Sequence, residues 1–232
     1  MGIKRCKLPR KLQLRLLENF VWQVTARSAA DVHGIQANTV ALFYRKIRLV
    51  IAEKLEAEAV PFAGEIEVDE SYFGGVRKGP RGRGAAGKVP VFGLLKRGGK
   101  VYALPTTDTR EKTLLPIIRR KIRPDSVVYT DGHPSYNVLD VSEFHHVRIN
   151  HAEHFANGRK HINGIENFWN QAKRWLSRYN GIPRKSFPLF LKEVQFWFNH
   201  GFAPAAAEDP ACLVQNLALS TTAPSLFRIL HF

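Results

Sequence analysis

Three acids stand out by where they sit. The chain has 232 residues with 20 Asp plus Glu, against 35 Lys plus Arg. Asp69 ends the strand-like run of "EIEVDESYFGG", and Asp131 follows the apolar "VVYT". Glu166 lies inside "HINGIENFWNQAKRWL" (His161 to Leu176). A carboxylate beside an apolar run is costly unless it is paired or binds a cation. Three such oxygen donors suit Mg²⁺, which takes a few carboxylates and keeps several waters. Two ions about 3.5–4 Å apart can activate a nucleophile and stabilise the leaving oxygen in phosphoryl transfer. Each acid alone also has an ordinary reading: Asp69 as a loop cap, Asp131 in a "DG" turn, Glu166 as a solvated helix position. They act together only if the two strands are neighbours and the helix packs across their ends.

The helix has two faces. Residues three, four and seven apart share a side. That rule aligns Asn163, Glu166, Asn170 and Lys173, and sets Ile165, Phe168, Trp169 and Leu176 on another side. The second face is expected in the core. On the first, Lys173 lies two turns beyond Glu166 and can meet a DNA phosphate beside a metal site. Glu67 and Glu70 flank Asp69 and are expected to turn to other faces. Glu70 can support the site or lie on the surface. His145, His146, His151, His154 and His161 form a loose cluster without a nearby Cys, so packing or hydrogen bonding is favoured over zinc. Trp169, Trp175, Phe196, Trp197 and Phe198 read mostly as core, with stacking on a base as the alternative. "RKGPRGRGAAGK" lacks the order of a nucleotide-binding loop. With Arg77, Lys78, Arg81, Arg83 and Lys88 it reads as an arm that grips DNA.

Several elements must position these groups. Lys11 to Val24 has helical periodicity through Leu12, Leu16 and Phe20. Thr25 or Ser28 can cap a short helix around Ala29 to Val32, Gly34 permits a turn, and Asn38 or Thr39 can start a third helix. This is the helix-turn-helix plan. Gln36, Asn38, Thr39, Arg45 and Lys46 near the third helix's leading end are of types that meet base edges or phosphates. Residues 1–58 thus read as a DNA-binding region with a basic N-terminal arm, and 59–64 as a linker marked by Pro61 and Gly64. From Glu65 the pattern becomes strand-like. The expected order is three strands, a helix over "REKTLLPIIRRKI", a strand, a short helix, a strand and two helices, a mixed α/β layer fold over 65–200. Gly98-Gly99 suits a hairpin. Pro116 fits its helix best in the first turn. Residues 201–232 form a tail with no assigned chemistry.

Composition narrows the partners. The formal net charge is +15 and the isoelectric point about 10.1. The blocks Met1 to Leu17 and Val76 to Lys100 carry basic residues and no acid, as phosphate contacts require. The apolar stretch near the N-terminus is broken by Arg15, Glu18 and Asn19, so neither a signal peptide nor a membrane span is expected. Cys6 and Cys212 offer no disulfide framework, and a reducing, bacterial cytoplasmic setting is expected.

Taken in order, "EIEVDESYFGG", "GKVPVFGLLKRGGKVYAL", "DSVVYTDGHPSYN" and "HINGIENFWNQAKRWLSRYNGIP" resemble the bacterial insertion-sequence transposases of the DDE class, the short type with a helix-turn-helix start. The resemblance runs from about Lys11 to about Asn199. It implies an RNase H-like core with a mixed five-stranded sheet flanked by helices, and dependence on two Mg²⁺ or Mn²⁺ ions. It implies binding of terminal inverted repeats, cleavage of double-stranded DNA and strand transfer by a homodimer or larger synaptic complex. The family's acids map onto Asp69, Asp131 and Glu166, and its following basic residue onto Lys173. Some relatives use Asn as the third ligand, which maps onto Asn163. Glu166 is favoured, since an anionic oxygen holds Mg²⁺ better than an amide. Longer relatives carry an N-terminal zinc ribbon, which this sequence lacks. The alternatives are an inactive or domesticated DNA-binding repressor, and a structure-selective nuclease with the same core.

Overall fold

The structure is a computed structural model, and it describes residues 6–74, 87–141, 143–149, 161–179 and 181–201. The chain divides into two compact units, one made of Met1–Glu58 together with the chain from His200 on, and a second spanning Ala59–Asn199.

In the first unit, α1 (Arg10–Val21) buries Leu16, Leu17, Phe20 and Val21. Helix α2 (Ala26–His33) starts where Thr25 Oγ1 accepts the Ser28 N–H at 3.2 Å, so Thr25 is the cap. Gly34, at φ 63°, ends it in the left-handed region that glycine tolerates. Helix α3 (Ala37–Ala57) has Gln36 as its N-cap, and its first residue, Ala37, lies one ahead of the Asn38 and two ahead of the Thr39 start expected from sequence. It buries Val40, Phe43, Tyr44, Ile47, Val50 and Ile51, and Tyr44 meets Phe20 edge-on at 5.0 Å between centroids.

The second unit is built on one sheet. Strands β1 (Glu65–Phe73), β2 (Val89–Lys96) and β3 (Val101–Pro105) form an antiparallel meander. The turn between β2 and β3 places Gly98 at φ 65°. Helix α4 (Glu111–Lys121) then leads to β4 (Val127–Thr130), which pairs parallel with β1. A short 3-10 helix (Pro134–Val141) precedes β5 (His145–Arg148), parallel to β4. The sheet order β3-β2-β1-β4-β5, with helices α5 (Asn163–Ser177) and α6 (Phe187–His200) following, is the RNase H-like arrangement implied by the resemblance.

Alternation along β1 decides what each face holds. Ile66 and Val68 join Phe92, Leu94, Val128, Leu114 and Ile118 in the core beneath α4 and the 3-10 helix. The opposite face receives α5, whose Ile165, Phe168, Trp169, Ala172 and Leu176 are buried. Pro116 lies in the sixth position of α4 rather than the first turn. It is tolerated because it is solvent-exposed, so the helix carbonyl it leaves without a donor can face water, while Leu114 and Ile118 hold the helix down.

The open edge of β3 is covered by α6. Asn199 Oδ1 accepts the Val101 N–H at 2.8 Å and its Nδ2 donates to the Val101 carbonyl at 3.0 Å. Gln195 Oε1 accepts the Ala103 N–H at 3.3 Å, and Lys192 donates to the Ala103 carbonyl at 3.2 Å. Side chains thereby meet backbone groups that an edge strand would otherwise offer to another chain. Among the described residues, no helix is long and apolar enough to cross a membrane.

Candidate active site

Strand β1 is longer than its neighbour β4, and the mismatch creates the site. The parallel register pairs Ile66 with Val128 and Glu67 with Tyr129, so two residues further on Asp69 comes level with Asp131. Asp131 is the first residue after β4. Beyond it, β1 keeps only β2 beside it. The sheet therefore opens a notch at its end with both aspartates on its rim.

Asp69 is mostly buried, and its carboxyl is pushed up to about 7. Burial is the main cause, followed by repulsion from Glu70 and then from Asp131. One oxygen is held: Trp169 Nε1 donates to Asp69 Oδ2 at 3.0 Å. The ring reaches it across Gly93, which pairs with Asp69 on β2. A Cβ on Gly93 would lie 2.5 Å from Trp169 Cζ2. Asp131 Oδ1 accepts the His133 N–H at 3.0 Å. Beneath Asp131, Thr130 donates to the Asp131 carbonyl, and its hydroxyl also meets His146 Nε2 at 2.8 Å. His146 Nδ1 lies 2.6 Å from Asp140, which also pairs with Arg148.

Glu67 and Glu70 correct the sequence expectation that both leave the Asp69 face. Residues two apart on a strand share a side, so Glu67 points with Asp69 toward α5 and accepts the Ile165 N–H at 2.9 Å. Only Glu70 turns to the other face. It is buried there and accepts the Tyr136 hydroxyl at 2.7 Å. Burial, then the Glu70 carboxylate, holds the Tyr136 phenol well above its usual range.

Helix α5 brings the remaining candidates. Glu166 lies in its first turn and is half-buried, while Asn163, Asn170 and Lys173 are exposed. The polar stripe expected from sequence therefore exists as an outward edge of α5. Lys173 Nζ lies 5.9 Å from the Phe73 ring centroid, toward the far end of β1. Among the described residues, no three His, Cys, Asp or Glu side chains close around one ion position. Asp69 and Asp131 form the assembled pair, and Glu166 and Asn163 stand on the helix beside it. The pair fits a divalent cation chemically. A buried carboxyl repelled by two acids is relieved by positive charge.

Of the other predicted residues, Asn38 and Arg45 are exposed on α3, and Thr39 and Lys46 are half-buried there. Lys88 is half-buried just ahead of β2, with its Cα 3.3 Å from where a Cβ on Gly74 would stand. Arg77, Lys78, Arg81, Arg83, His151 and His154 lie outside the described residues. Trp169, Trp175 and Trp197 are buried, as a core reading requires. Sequence reasoning missed the Trp169 bond to Asp69. It also missed Arg97, which donates to Glu67 Oε1 at 3.1 Å and to the His161 carbonyl. Period-two alternation was the available signal for Glu67; nothing local marks the other two.

The chain is similar to several known proteins. A transposase-like protein of Haemophilus influenzae is 57% identical over 101 residues, covering 44% of this chain and 82% of that protein. A protein of the transposable element ISH50 from Halobacterium salinarum is 29% identical over 170 residues, covering 66% of this chain and 58% of its own length. Among solved structures, the Mos1 strand transfer complex covers 99% of this chain and 78% of that chain at 12% identity, with a TM-score of 0.35. The Mos1 mariner paired-end complex with Mn covers 96% and 82% at 12% identity, with a TM-score of 0.31. The sequence model of the ISXO2-like transposase domain matches residues 61–199, more than half of the chain, and the chain belongs to that transposase family.

Proposed function

We infer that this chain is a DDE transposase of a bacterial insertion sequence, which binds the element's terminal inverted repeats, cuts DNA there and joins the freed end to a target. The observation that carries the reading is the parallel pairing of β1 with β4, which sets Asp69 level with Asp131 at the end of an RNase H-like sheet. Asp69, Asp131 and a third ligand from α5, Glu166 in preference to Asn163, would hold two Mg²⁺ or Mn²⁺ ions. When bound, such ions supply an activated nucleophile and stabilise the leaving oxygen.

The protein's own groups do the rest. Trp169 fixes one oxygen of Asp69 and so orients the carboxyl. Lys173, exposed on the same helix as Glu166, meets a phosphate of the bound strand. Helices α2 and α3 act as a helix-turn-helix, with Asn38, Thr39, Arg45 and Lys46 on the DNA, and the basic residues from Arg77 to Lys88 grip the backbone. Two ends are joined in one event, so a dimer or larger synaptic complex is expected.

The test uses DNA carrying the short inverted repeats that bracket the gene. Asp69→Asn and Glu166→Gln should abolish metal-dependent cutting and leave end binding intact. If the unmutated protein binds those ends yet never nicks them with Mg²⁺ or Mn²⁺, it is a repressor instead. If it cuts but never joins a pre-cut end to target DNA, it is a nuclease.

A further inference from the structure

Helix α5 is fastened to β1 at two polar points. Glu67 Oε2 accepts the Ile165 N–H at 2.9 Å, and Trp169 Nε1 donates to Asp69 Oδ2 at 3.0 Å. The anchors are four residues apart on the helix and two apart on the strand. Four helical residues rise about 6 Å, and two strand residues about 6.6 Å. The spacings match when the helix runs along the strand in the same sense, so the contacts act as two rungs that fix its register.

The first rung is a built device. Glu67 is 1% exposed, although it is an acid. Its other oxygen accepts from Arg97 Nε at 3.1 Å. Arg97 also donates to the His161 carbonyl, on the segment entering α5, and lies 3.7 Å over the Tyr129 ring of β4. One arginine thereby ties β1, β4 and the start of α5 together. Gly164 completes the approach: a Cβ there would meet Glu67 Oε2 at 2.8 Å and Leu95 Cδ2 at 2.9 Å. A carboxylate in the first turn of a helix is favoured by the orphan N–H groups and the positive end of the dipole.

We propose that Glu67, held by Arg97, is a positioning residue that fixes the first turn of α5 over β1 and so sets where Asn163 and Glu166 stand relative to Asp69. The inference rests on the reading of Asp69, Asp131 and α5 as the catalytic site. Helix α6 provides a contrast, since it is fastened to the edge of β3 by Asn199, Gln195 and Lys192, with no buried carboxylate among these contacts, and carries none of the candidate acids.

The experiment compares the full chain with Glu67→Gln, Arg97→Lys and, as a control, Gln195→Ala. Three quantities are read: hydrogen exchange along α5 without metal, the Mn²⁺ concentration giving half-maximal cutting of end DNA, and end binding. Glu67→Gln keeps an acceptor for Ile165 but loses the charge. It should raise the Mn²⁺ midpoint about 10-fold, as loss of a partner that orients a metal ligand does. It should also speed exchange in the first turn of α5 while the last turn and end binding stay unchanged. Arg97→Lys should act in the same direction. Gln195→Ala should lower the melting temperature without moving the midpoint. A wild-type midpoint and wild-type exchange in Glu67→Gln overturn the proposal. If that variant fails to fold, the same readouts on Arg97→Lys decide it. If the unmutated protein shows no metal-dependent cutting, the functional reading fails, and the exchange data alone then judge the fastening: faster first-turn exchange supports it, unchanged exchange sinks it.

Discussion

The strand acids and the helix residues of the candidate site are held in different ways. Asp69 and Asp131 stand on neighbouring strands whose backbone register brings them level. Their separation is set by a hydrogen-bonded ladder and a shared core. Glu166 and Asn163 ride on α5, and their position depends on how that helix docks through Glu67, Trp169 and two glycines. A pairing register cannot shift by part of a residue, because a slip moves every side chain to the other face. A docked helix can tilt or slide by fractions of an ångström. The third ligand proposed on α5 is thus where geometry can be tuned, and where damage at a distance will be felt.

The sharpest way to break this contrast is to remove ligands one at a time. Asp131→Asn should cut strand cleavage by at least about 10³-fold, equivalent to about 4 kcal/mol of barrier. Glu166→Ala should match it if the helix supplies its ligand through that acid, while Asn163→Ala should cost about 10-fold or less. Single-turnover cleavage of a labelled end measures all three. The reverse ranking of Asn163 and Glu166 would assign the third position to the amide.

Gly93→Ala tests the docking itself. The added methyl would lie 2.5 and 2.7 Å from two ring carbons of Trp169 and 3.1 Å from Ile165 Cδ1. The ring cannot retreat without releasing Asp69, so overpacking should cost about 3 kcal/mol, the upper part of its usual range. Urea unfolding reads the loss. Unchanged stability would mean that α5 slides freely, contrary to the two-rung picture.

The sequence revealed what local pattern encodes. Alternation in "EIEVD" made a strand through Asp69 readable, but β1 runs on to Phe73, so Asp69 sits in mid-strand and not at the strand end expected from sequence, whereas "VVYTD" does set Asp131 just past the end of β4. The two faces of α5 follow from the 3.6-residue period, and the element order follows from switches between the two periods. What stayed hidden joins residues far apart in the chain. Ile165 meets Glu67 across 98 positions, and Asn199 meets Val101 across another 98. No local period records which helix turn lands on which strand residue. Pro116 departs from the first-turn expectation because its acceptability inside α4 depends on facing water, which the surrounding core decides.

The smallest effect concerns the stability of Asp69 without metal. Its carboxyl titrates near 7 in the folded chain, raised first by burial and then by Glu70 and Asp131. In the unfolded chain it titrates near 4. Between those values the folded state holds the extra proton, so stability is greatest on the acid side and is lost as pH rises through about 7. Asp69→Asn removes the ionisation. In chelator, the variant should match wild type near pH 4 and gain on it as pH rises. Near pH 8 the advantage should be on the order of 2 kcal/mol, with relaxation around a partly solvated carboxyl holding it below the ideal linkage value. Thermal melts at the two pH values measure it. Added Mg²⁺ should close the gap at pH 8 by stabilising only the wild type, because a cation binds the ionised carboxylate. A variant no more stable than wild type at pH 8 without metal would show that Asp69 is not strained by its neighbours. The strand pair would then be as relaxed as the helix edge beside it.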